Sequence, residues 1–345
     1  NKIILAIESS CDDTSAAVIR DGILLSNVTA SQSVHEEFGG VVPELASRAH
    51  QLNIVPVVDA ALKRAEVEAK DLSAIAFTRG PGLLGSLLVG VSYAKGMALS
   101  LGIPLVEVNH LQAHILAHFI KTNSEASCSE ASPSFPFLCL LVSGGNSQIV
   151  LVKSHRDMEI IGQTIDDAAG EAFDKCAKIM GLPYPGGASL DKLAQQGTAG
   201  AYRLPRAGVS GAPYDFSFSG LKTAAVNLIH NAQQKGQEVR TEDLAAAVSQ
   251  TVAHSVVPRV IAAAKDKGRK RICAAGGVAA NSRIRKDLES MTKRLGAELY
   301  LPPLKLCGDN AAMIGAQAFY EYLAGNMADM ELNAYATKSI LGETI

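Results

Sequence analysis

The chain has 345 residues, 48% of them hydrophobic, and its 32 Lys and Arg against 34 Asp and Glu give a formal net charge of -2. That length exceeds one comfortable core and predicts two domains, while the near balance of charge excludes a nucleic-acid binder that works through overall basicity, because affinity for a phosphate backbone is built from Lys and Arg. A local basic face stays open. Six cysteines (Cys11, Cys128, Cys139, Cys176, Cys273, Cys307) form no C-x-x-C pair and several lie in apolar runs, a pattern of reduced thiols rather than a disulfide framework, so the cytoplasmic compartment is expected. The N-terminus runs straight into a strand pattern without a basic leader and cleavage site, and the apolar runs read as shorter than a membrane span. Neither secretion nor membrane insertion is expected.

In chain order, residues 3–19 read as apolar strand, polar turn (Ser9-Ser10-Cys11-Asp12-Asp13) and second apolar strand, and residues 137–151 repeat the device around Ser143-Gly144-Gly145-Asn146. Two such hairpins opening two halves suggest duplicated lobes whose polar turns face a common cleft and clamp a phosphate, the alternative being two unrelated hairpins. A helix opens at Val42-Pro43-Glu44 with Pro in its first turn and runs to about Ala65, kinked at Pro56. A buried strand over 72–77 enters the glycine-rich turn Gly80-Pro81-Gly82 and a helix to Leu101, then a strand over 104–108 leads to Asn109-His110 and a helix to about Ile120. Residues 122–134, rich in Ser, Glu and Ala, read as an exposed linker. The chain thus divides into an N-terminal lobe 1–121, the linker, a C-terminal lobe 135–323 and a tail 324–345 expected to pack back on the N-terminal lobe. In the second half, helices are expected over 167–180 (stopped by Gly181), from Ala188, over 219–234 and over 241–267. A strand over 271–275 ends in Gly276-Gly277, a helix starts at Asn281, a strand covers 298–301, and a helix over 309–323 closes the pattern. Residues 202–220 read as irregular structure able to lie over a ligand.

His110 and His114, four apart at a helix start, project from one face and can share an ion. A solvated or hydrogen-bonded pair is the plain alternative. A third ligand must come from elsewhere, and Asp309 in Cys307-Gly308-Asp309-Asn310 offers a carboxylate at a loop-to-helix junction, unless it is only an N-cap. The residue after His110 is Leu111, not the glutamate that serves as base in zinc-protease helices, which weakens a peptidase reading. Ser143-Gly144-Gly145 and Ala275-Gly276-Gly277 follow strands, where glycines let backbone amides approach a phosphate or ribose, but neither is a P-loop or a full dinucleotide fingerprint. Asp174 and Lys178 read equally well as an exposed i,i+4 pair. For RNA, local basic groups lie over 265–271 and at Arg283, Arg285, Lys286, Lys293 and Arg294, although such runs are commonly solvated helix ends.

Taken together, Glu8-Ser9-Ser10-Cys11-Asp12-Asp13-Thr14, Gly39-Gly40-Val41-Val42-Pro43-Glu44-Leu45-Ala46-Ser47-Arg48, Gly80-Pro81-Gly82-Leu83, the two histidines, Val142-Ser143-Gly144-Gly145, Asp166-Asp167-Ala168-Ala169-Gly170-Glu171-Ala172-Phe173-Asp174-Lys175, Tyr184-Pro185-Gly186-Gly187, Phe216-Ser217-Phe218-Ser219-Gly220-Leu221-Lys222, Ala275-Gly276-Gly277-Val278-Ala279-Ala280-Asn281 and Asp309-Asn310 resemble the TsaD family, the tRNA adenosine threonylcarbamoyltransferases formerly described as O-sialoglycoprotein endopeptidases. The match runs in order over nearly the whole chain. It implies an α/β fold of two related actin/sugar-kinase/Hsp70-like lobes with an interlobe cleft. It implies transfer of the threonylcarbamoyl group from threonylcarbamoyl-adenylate to N6 of the adenosine at position 37 of tRNAs reading codons that begin with A, with release of AMP. By this resemblance His110, His114 and Asp309 hold one divalent metal ion, iron foremost and zinc second. Leu141, Val142, Ser143, Gly144, Gly145, Asp174, Gly187, Asp191 and Asn281 bind the adenylate or an ATP-type nucleotide. Apart from the resemblance, the poor nucleophilicity of the adenine amine calls for a group that manages its proton, and Asp12 or Asp13 is the catalytic candidate. The implied partners are tRNA, a paralogous TsaB-type subunit and a small TsaE-type ATPase, with no membrane. Two departures stand out: Asp13 where relatives often carry Glu, and Asn146 where bacterial members often carry His. A small-molecule kinase or a non-catalytic ATP-binding scaffold on the same fold are the rival readings, with a metallopeptidase behind them.

Overall fold

The computed structural model describes the chain apart from residues 33–34, 36–39, 123–131, 207, 338 and 342–345. Most of the expected linker, Gly39 and Cys128 therefore lie outside the described residues. The chain forms two compact units, Asn1–Ser132 with Asp309–Ile345, and Pro133–Gly308.

In the first unit, β1 (Ile3–Glu8), β2 (Thr14–Arg20) and β3 (Ile23–Ala30) form an antiparallel meander. Helix α1 (Pro43–Arg64) follows, with Pro at its start and Pro56 within it. Next come β4 (Ala74–Gly80), α2 (Leu84–Leu101), β5 (Leu105–Asn109), the short α3 (His110–Leu116) and β6 (Lys121–Thr122). The sheet order is β5-β4-β1-β2-β3-β6, with β4 parallel to β1 and β5 parallel to β4. All six residues of β1 are buried, the expected signature of a central strand covered on both faces.

The second unit repeats the plan. β7 (Phe137–Val142), β8 (Ser147–Val152) and β9 (Met158–Gln163) form the meander. Helices α4 (Ala169–Ile179), α5 (Gly186–Ala194), α6 (Ser219–Gln234) and α7 (Thr241–Asp266) follow, then β10 (Arg271–Ala275), α8 (Ser282–Leu295) and β11 (Glu298–Tyr300). The order β11-β10-β7-β8-β9, with β10 parallel to β7 and β11 parallel to β10, matches β5-β4-β1-β2-β3 strand for strand. The hairpin repeat in the sequence is thus part of a five-strand repeat. Its third members, β3 and β9, escape the sequence reading because each is only partly buried and broken by polar residues or glycine.

The last helix, α9 (Ala311–Leu323), packs on β1, β2 and α3 and belongs to the first unit. The sequence reading placed residues up to 323 in the C-terminal lobe; the chain instead returns to the first unit at Asp309, because the apolar side of α9 covers the face of the first sheet opposite α1 and α2. The following tail stays on that unit: Ala328 bridges Leu105, the Lys95 ammonium donates to the Leu332 carbonyl, the Asn109 side-chain amide to that of Ser339 and the Gln112 side-chain amide to that of Ile340. Helix α2 is, by length and composition, apolar enough to cross a membrane, contrary to the reading that no run reaches that length. Here it lies against α1 and β4, burying Leu87, Val91, Ala94 and Ala98. The five cysteines among the described residues are free thiols.

Candidate functional site

Parallel strands direct their carboxyl ends toward one edge of a sheet, where open α/β folds display their chemistry. In the first unit that edge carries Glu8 at the end of β1, Gly80 at the end of β4 and His110 just beyond β5. The Asn109 side chain accepts from the amides of Leu111 and Gln112 and so starts α3 at His110, placing His114 one turn on. His110 and His114 approach Nε2 to Nε2 at 3.2 Å. Asp309 Oδ1 lies 3.1 Å from His114 Nε2 and 3.5 Å from His110 Nε2. Asp309 is not the cap of α9: that role belongs to Asn310, whose side chain accepts from the Met313 amide. The Ala311 amide donates to Ser15 Oγ and pins the start of α9 to β2, which leaves the Asp309 carboxylate aimed at the histidines.

These three donors fit a bound ion. Ligands held at about 2.0–2.2 Å on neighbouring tetrahedral or octahedral corners lie roughly 2.8–3.6 Å apart, the interval observed. Behind them, His110 Nδ1 meets Glu8 Oε2 at 3.1 Å and Ser10 Oγ at 3.2 Å, a carboxylate–imidazole brace that turns Nε2 toward the ion side. Glu8 is fully buried and also accepts from Thr78 Oγ1 at 2.6 Å and from the Ser10 amide. Burial works against the Glu8 charge, but His110 and the bond from Ser10 keep its pKa below the usual value. Burial likewise opposes charge on His110, yet Asp309 and Glu8 override it and raise the ring to about 9; the two histidines drive Asp309 down to about 2 against its own burial. Two carboxylates thus stabilise positive charge at the imidazole pair, whether a proton or a metal cation carries it.

Asp12 and Asp13 sit half-buried in the β1–β2 turn. Burial, with the charges of Asp12, Asp309 and Glu8, raises Asp13 to about 6 despite a bond from Ser31. The Gly80-Pro81-Gly82-Leu83 turn supports this loop: a Cβ on Gly82 would come 2.5 Å from the Ser10 carbonyl oxygen, and the Leu83 amide donates to that oxygen at 2.7 Å. Glu8 carries no role in the sequence reading. Its signal was a glutamate closing an otherwise apolar buried strand, a placement that requires a partner.

In the second unit the same sheet edge carries glycines. The turn after β7 closes through a 2.8 Å bond from the Ser143 amide to the Asn146 carbonyl, and the amides of Gly170 and Glu171 at the start of α4 donate to the carbonyls of Ser143 and Gly144. Gly144 and Gly145 are exposed, and a Cβ on either would meet no atom within 4 Å. After β10, Gly276 adopts φ +91°, and a Cβ there would collide with the Val142 carbonyl oxygen. The structure therefore brings Val142, Ser143 and Gly276 together. Asp174 accepts from the Gly187 amide at 3.2 Å, which joins two further predicted residues and ties α4 to the start of α5. Both oxygens of Asp191 accept from the Ser282 amide, and one takes the Ser282 hydroxyl at 2.7 Å; Asn281 caps α8 through the amides of Arg283 and Ile284. Of the basic groups, Arg283 is paired with Asp287 and Arg285 is tied to the carbonyls of Ala279 and Pro302, so both serve the unit's own architecture.

A sequence profile described as TsaD, tRNA N6-adenosine threonylcarbamoyltransferase, matches residues 23–316. The chain is 55% identical over 332 residues to the tRNA N6-adenosine threonylcarbamoyltransferase of Porphyromonas gingivalis, covering 95% of this chain and 96% of that one. It is 54% identical to the enzyme of the same name from Phocaeicola vulgatus over 98% of this chain and 99% of the relative. Among solved structures, component A of the (R)-2-hydroxyglutaryl-CoA dehydratase of Acidaminococcus fermentans superposes with a TM-score of 0.53 at 18% identity, over 94% of this chain and 99% of the other. That likeness speaks to fold alone, and with the duplicated sheets it identifies the α/β actin/sugar-kinase/Hsp70-like fold. The chain belongs to the TsaD family, the tRNA N6-adenosine threonylcarbamoyltransferases.

Proposed function

We propose that the protein transfers threonylcarbamoyl from threonylcarbamoyl-adenylate to N6 of adenosine 37 in tRNAs reading codons that begin with A, and that AMP leaves. Family membership carries the transferase activity on tRNA adenosine. The observation that supports the residue assignment is the convergence of His110, His114 and Asp309 at 3.1–3.5 Å, braced by Glu8. A kinase or a passive nucleotide scaffold has no use for that triad, and the peptidase reading lacks an adjacent glutamate base.

His110, His114 and Asp309 would hold the ion, iron foremost and zinc second, while Glu8 keeps the His110 ring turned for ligation. When bound, the ion supplies Lewis acidity to donor oxygens. The amides of Gly144 and Gly145 would meet oxygens of the adenylate without a Cβ in the way, while the Ser143 amide closes the turn on the Asn146 carbonyl and Leu141 and Val142 set that turn at the end of β7. Asp191 and Asn281, fixed at the start of α8, and Asp174 with Gly187 complete the nucleotide-binding group; a carboxylate has lone pairs to spare beyond those Ser282 uses. The adenine amine is a poor nucleophile, so orientation and charge stabilisation carry most of the rate. Asp13, or its neighbour Asp12, accepts the amine proton. A pKa near 6 leaves Asp13 ionised at neutral pH while making it a stronger base than an ordinary aspartate. A TsaB-type paralogue and a TsaE-type ATPase are the proposed partners, in the cytoplasm.

The test is to incubate the protein and candidate partners with threonylcarbamoyl-adenylate and unmodified tRNA, digest the RNA and look for threonylcarbamoyladenosine by mass spectrometry. No modified nucleoside under any partner combination would reject the assignment.

A further inference from the structure

The turn that carries Asp12 and Asp13 is spanned by a side chain with no part in the steps above. His50 projects from α1 and is completely buried. Its Nε2 lies 2.8 Å from the Cys11 carbonyl oxygen and its Nδ1 lies 2.7 Å from Thr14 Oγ1. A carbonyl can only accept, so Nε2 carries the proton and Nδ1 accepts from the threonine hydroxyl. One imidazole thereby holds both ends of the segment whose two middle residues are the aspartates. Burial lowers the pKa of the ring, which agrees with this neutral tautomer.

The helix that supplies His50 is itself anchored beside the turn. The Val42 amide donates to His35 Nδ1, His35 Nε2 meets Gln32 Oε1 at 2.7 Å, and the Gln32 side-chain amide donates to the Ala46 carbonyl. These bonds tie the first turns of α1 to the segment after β3, and His50 lies one turn beyond Ala46. The ring is thus part of a connected set that leaves the 11–14 segment little freedom.

We infer that His50 is a positioning residue for the transfer reaction: it fixes the 11–14 turn so that the Asp12 and Asp13 carboxylates are presented in one geometry. This rests on the reading that one of those carboxylates acts in the reaction. His50 touches neither His110, His114 nor Asp309 in any bond described above, so its loss bears on turnover and not on metal loading.

Five single variants test it: His50→Ala, His50→Gln, Thr14→Val, Asp12→Asn and Asp13→Asn. Each is assayed for transfer kcat, for KM toward threonylcarbamoyl-adenylate, for bound metal by elemental analysis and for thermal unfolding. Misplacement of a reacting group by about 1 Å can cost about a hundredfold, so His50→Ala should lower kcat by roughly 10–100-fold with KM and metal content unchanged. Thr14→Val keeps the buried shape and removes one anchor; it should lose less, and combined with His50→Ala it should lose no more than His50→Ala alone. His50→Gln can return an N–H to the Cys11 carbonyl and should recover much of the rate. If His50→Ala fails to fold, Thr14→Val decides. Full kcat in folded His50→Ala or in folded Thr14→Val, or a change in metal content and KM parallel to the loss of kcat, would overturn the inference. Full activity in both aspartate variants would instead reject the catalytic assignment on which it rests.

Discussion

The two units build the same 3-2-1-4-5 sheet and use the same edge of it, yet they equip that edge with opposite chemistry. In the first unit the carboxyl ends of β1, β4 and β5 carry Glu8, the Asp12-Asp13 turn and His110, with Asp309 arriving beside them. In the second the equivalent ends carry Ser143-Gly144-Gly145 and Gly276-Gly277, where Gly144 and Gly145 lie exposed with open space at their Cα atoms. One scaffold therefore supplies side-chain charge in one copy and unobstructed backbone in the other. On the proposed reading, the first holds a cation and supplies the proton acceptor, and the second receives phosphate and ribose oxygens. The difference teaches that the duplicated strands define where chemistry happens, and the residues just past the strand ends define what it is.

The largest expected effect comes from breaking the charged edge. His114→Ala should abolish bound metal and lower transfer by more than about a hundredfold, because removal of a ligand exceeds the tenfold to hundredfold typical of outer-shell changes. Elemental analysis and nucleoside mass spectrometry on the same preparation check this; full metal occupancy in the variant would remove His114 from the ligand set. Next in size is Glu8→Gln, which keeps the shape and removes the charge behind His110. Metal affinity should fall by roughly 10–100-fold, read by competition with a chelator, while the second unit's affinity for an adenylate analogue stays as it was. A loss of both would mean that the contrast drawn between the two edges is too sharp.

The backbone edge is probed by Gly276→Ala. At φ +91° and against the Val142 carbonyl, any side chain requires the turn to move, so destabilisation on the order of 1–3 kcal/mol is expected. Thermal unfolding measures it, and calorimetry with an adenylate analogue should show weakened binding with metal content intact.

How much of this was open to reading from sequence differs between the edges for a physical reason. Glycine turns after apolar runs and a His-x3-His spacing are local signals, and both appear where the periodicity placed them, at a strand end and at a helix start. Asp309 is distant from His110 in sequence, so no spacing rule links them; its place at a loop-to-helix junction made it a candidate with a helix cap as the alternative, and the family resemblance joined it to the histidines. Glu8 was visible as a residue but not as a function, since its partners Thr78, Ser10 and His110 are set by strand order rather than by spacing. The same limit explains α9. Its apolar face is plain in the sequence, but which sheet it covers depends on long-range topology. Asp174 shows the reverse case. Its spacing to Lys178 permitted an exposed pair, whereas the structure directs Oδ1 to the Gly187 amide.

The smallest and most discriminating effect concerns Asp13. Its folded pKa of about 6 stands above the ordinary aspartate value of 3.8, so between those two pH values the folded chain binds more protons than the unfolded one. Stability from this group is therefore fully present below about pH 4 and is lost as pH rises through about 6. Asp13→Asn, neutral throughout, should flatten that part of the stability–pH curve and leave the slopes of other groups in place; half-exposure in the turn limits the size of the change. Activity should move in the opposite sense. The wild-type kcat/KM is expected to climb as pH rises through about 6, because the carboxylate must be ionised to take the amine proton, and a residual rate in Asp13→Asn should lack that step. A variant that keeps the wild-type limb would shift the proton to Asp12, whose carboxylate shares the same turn, and would leave the charged edge intact as a class while changing which residue on it reacts.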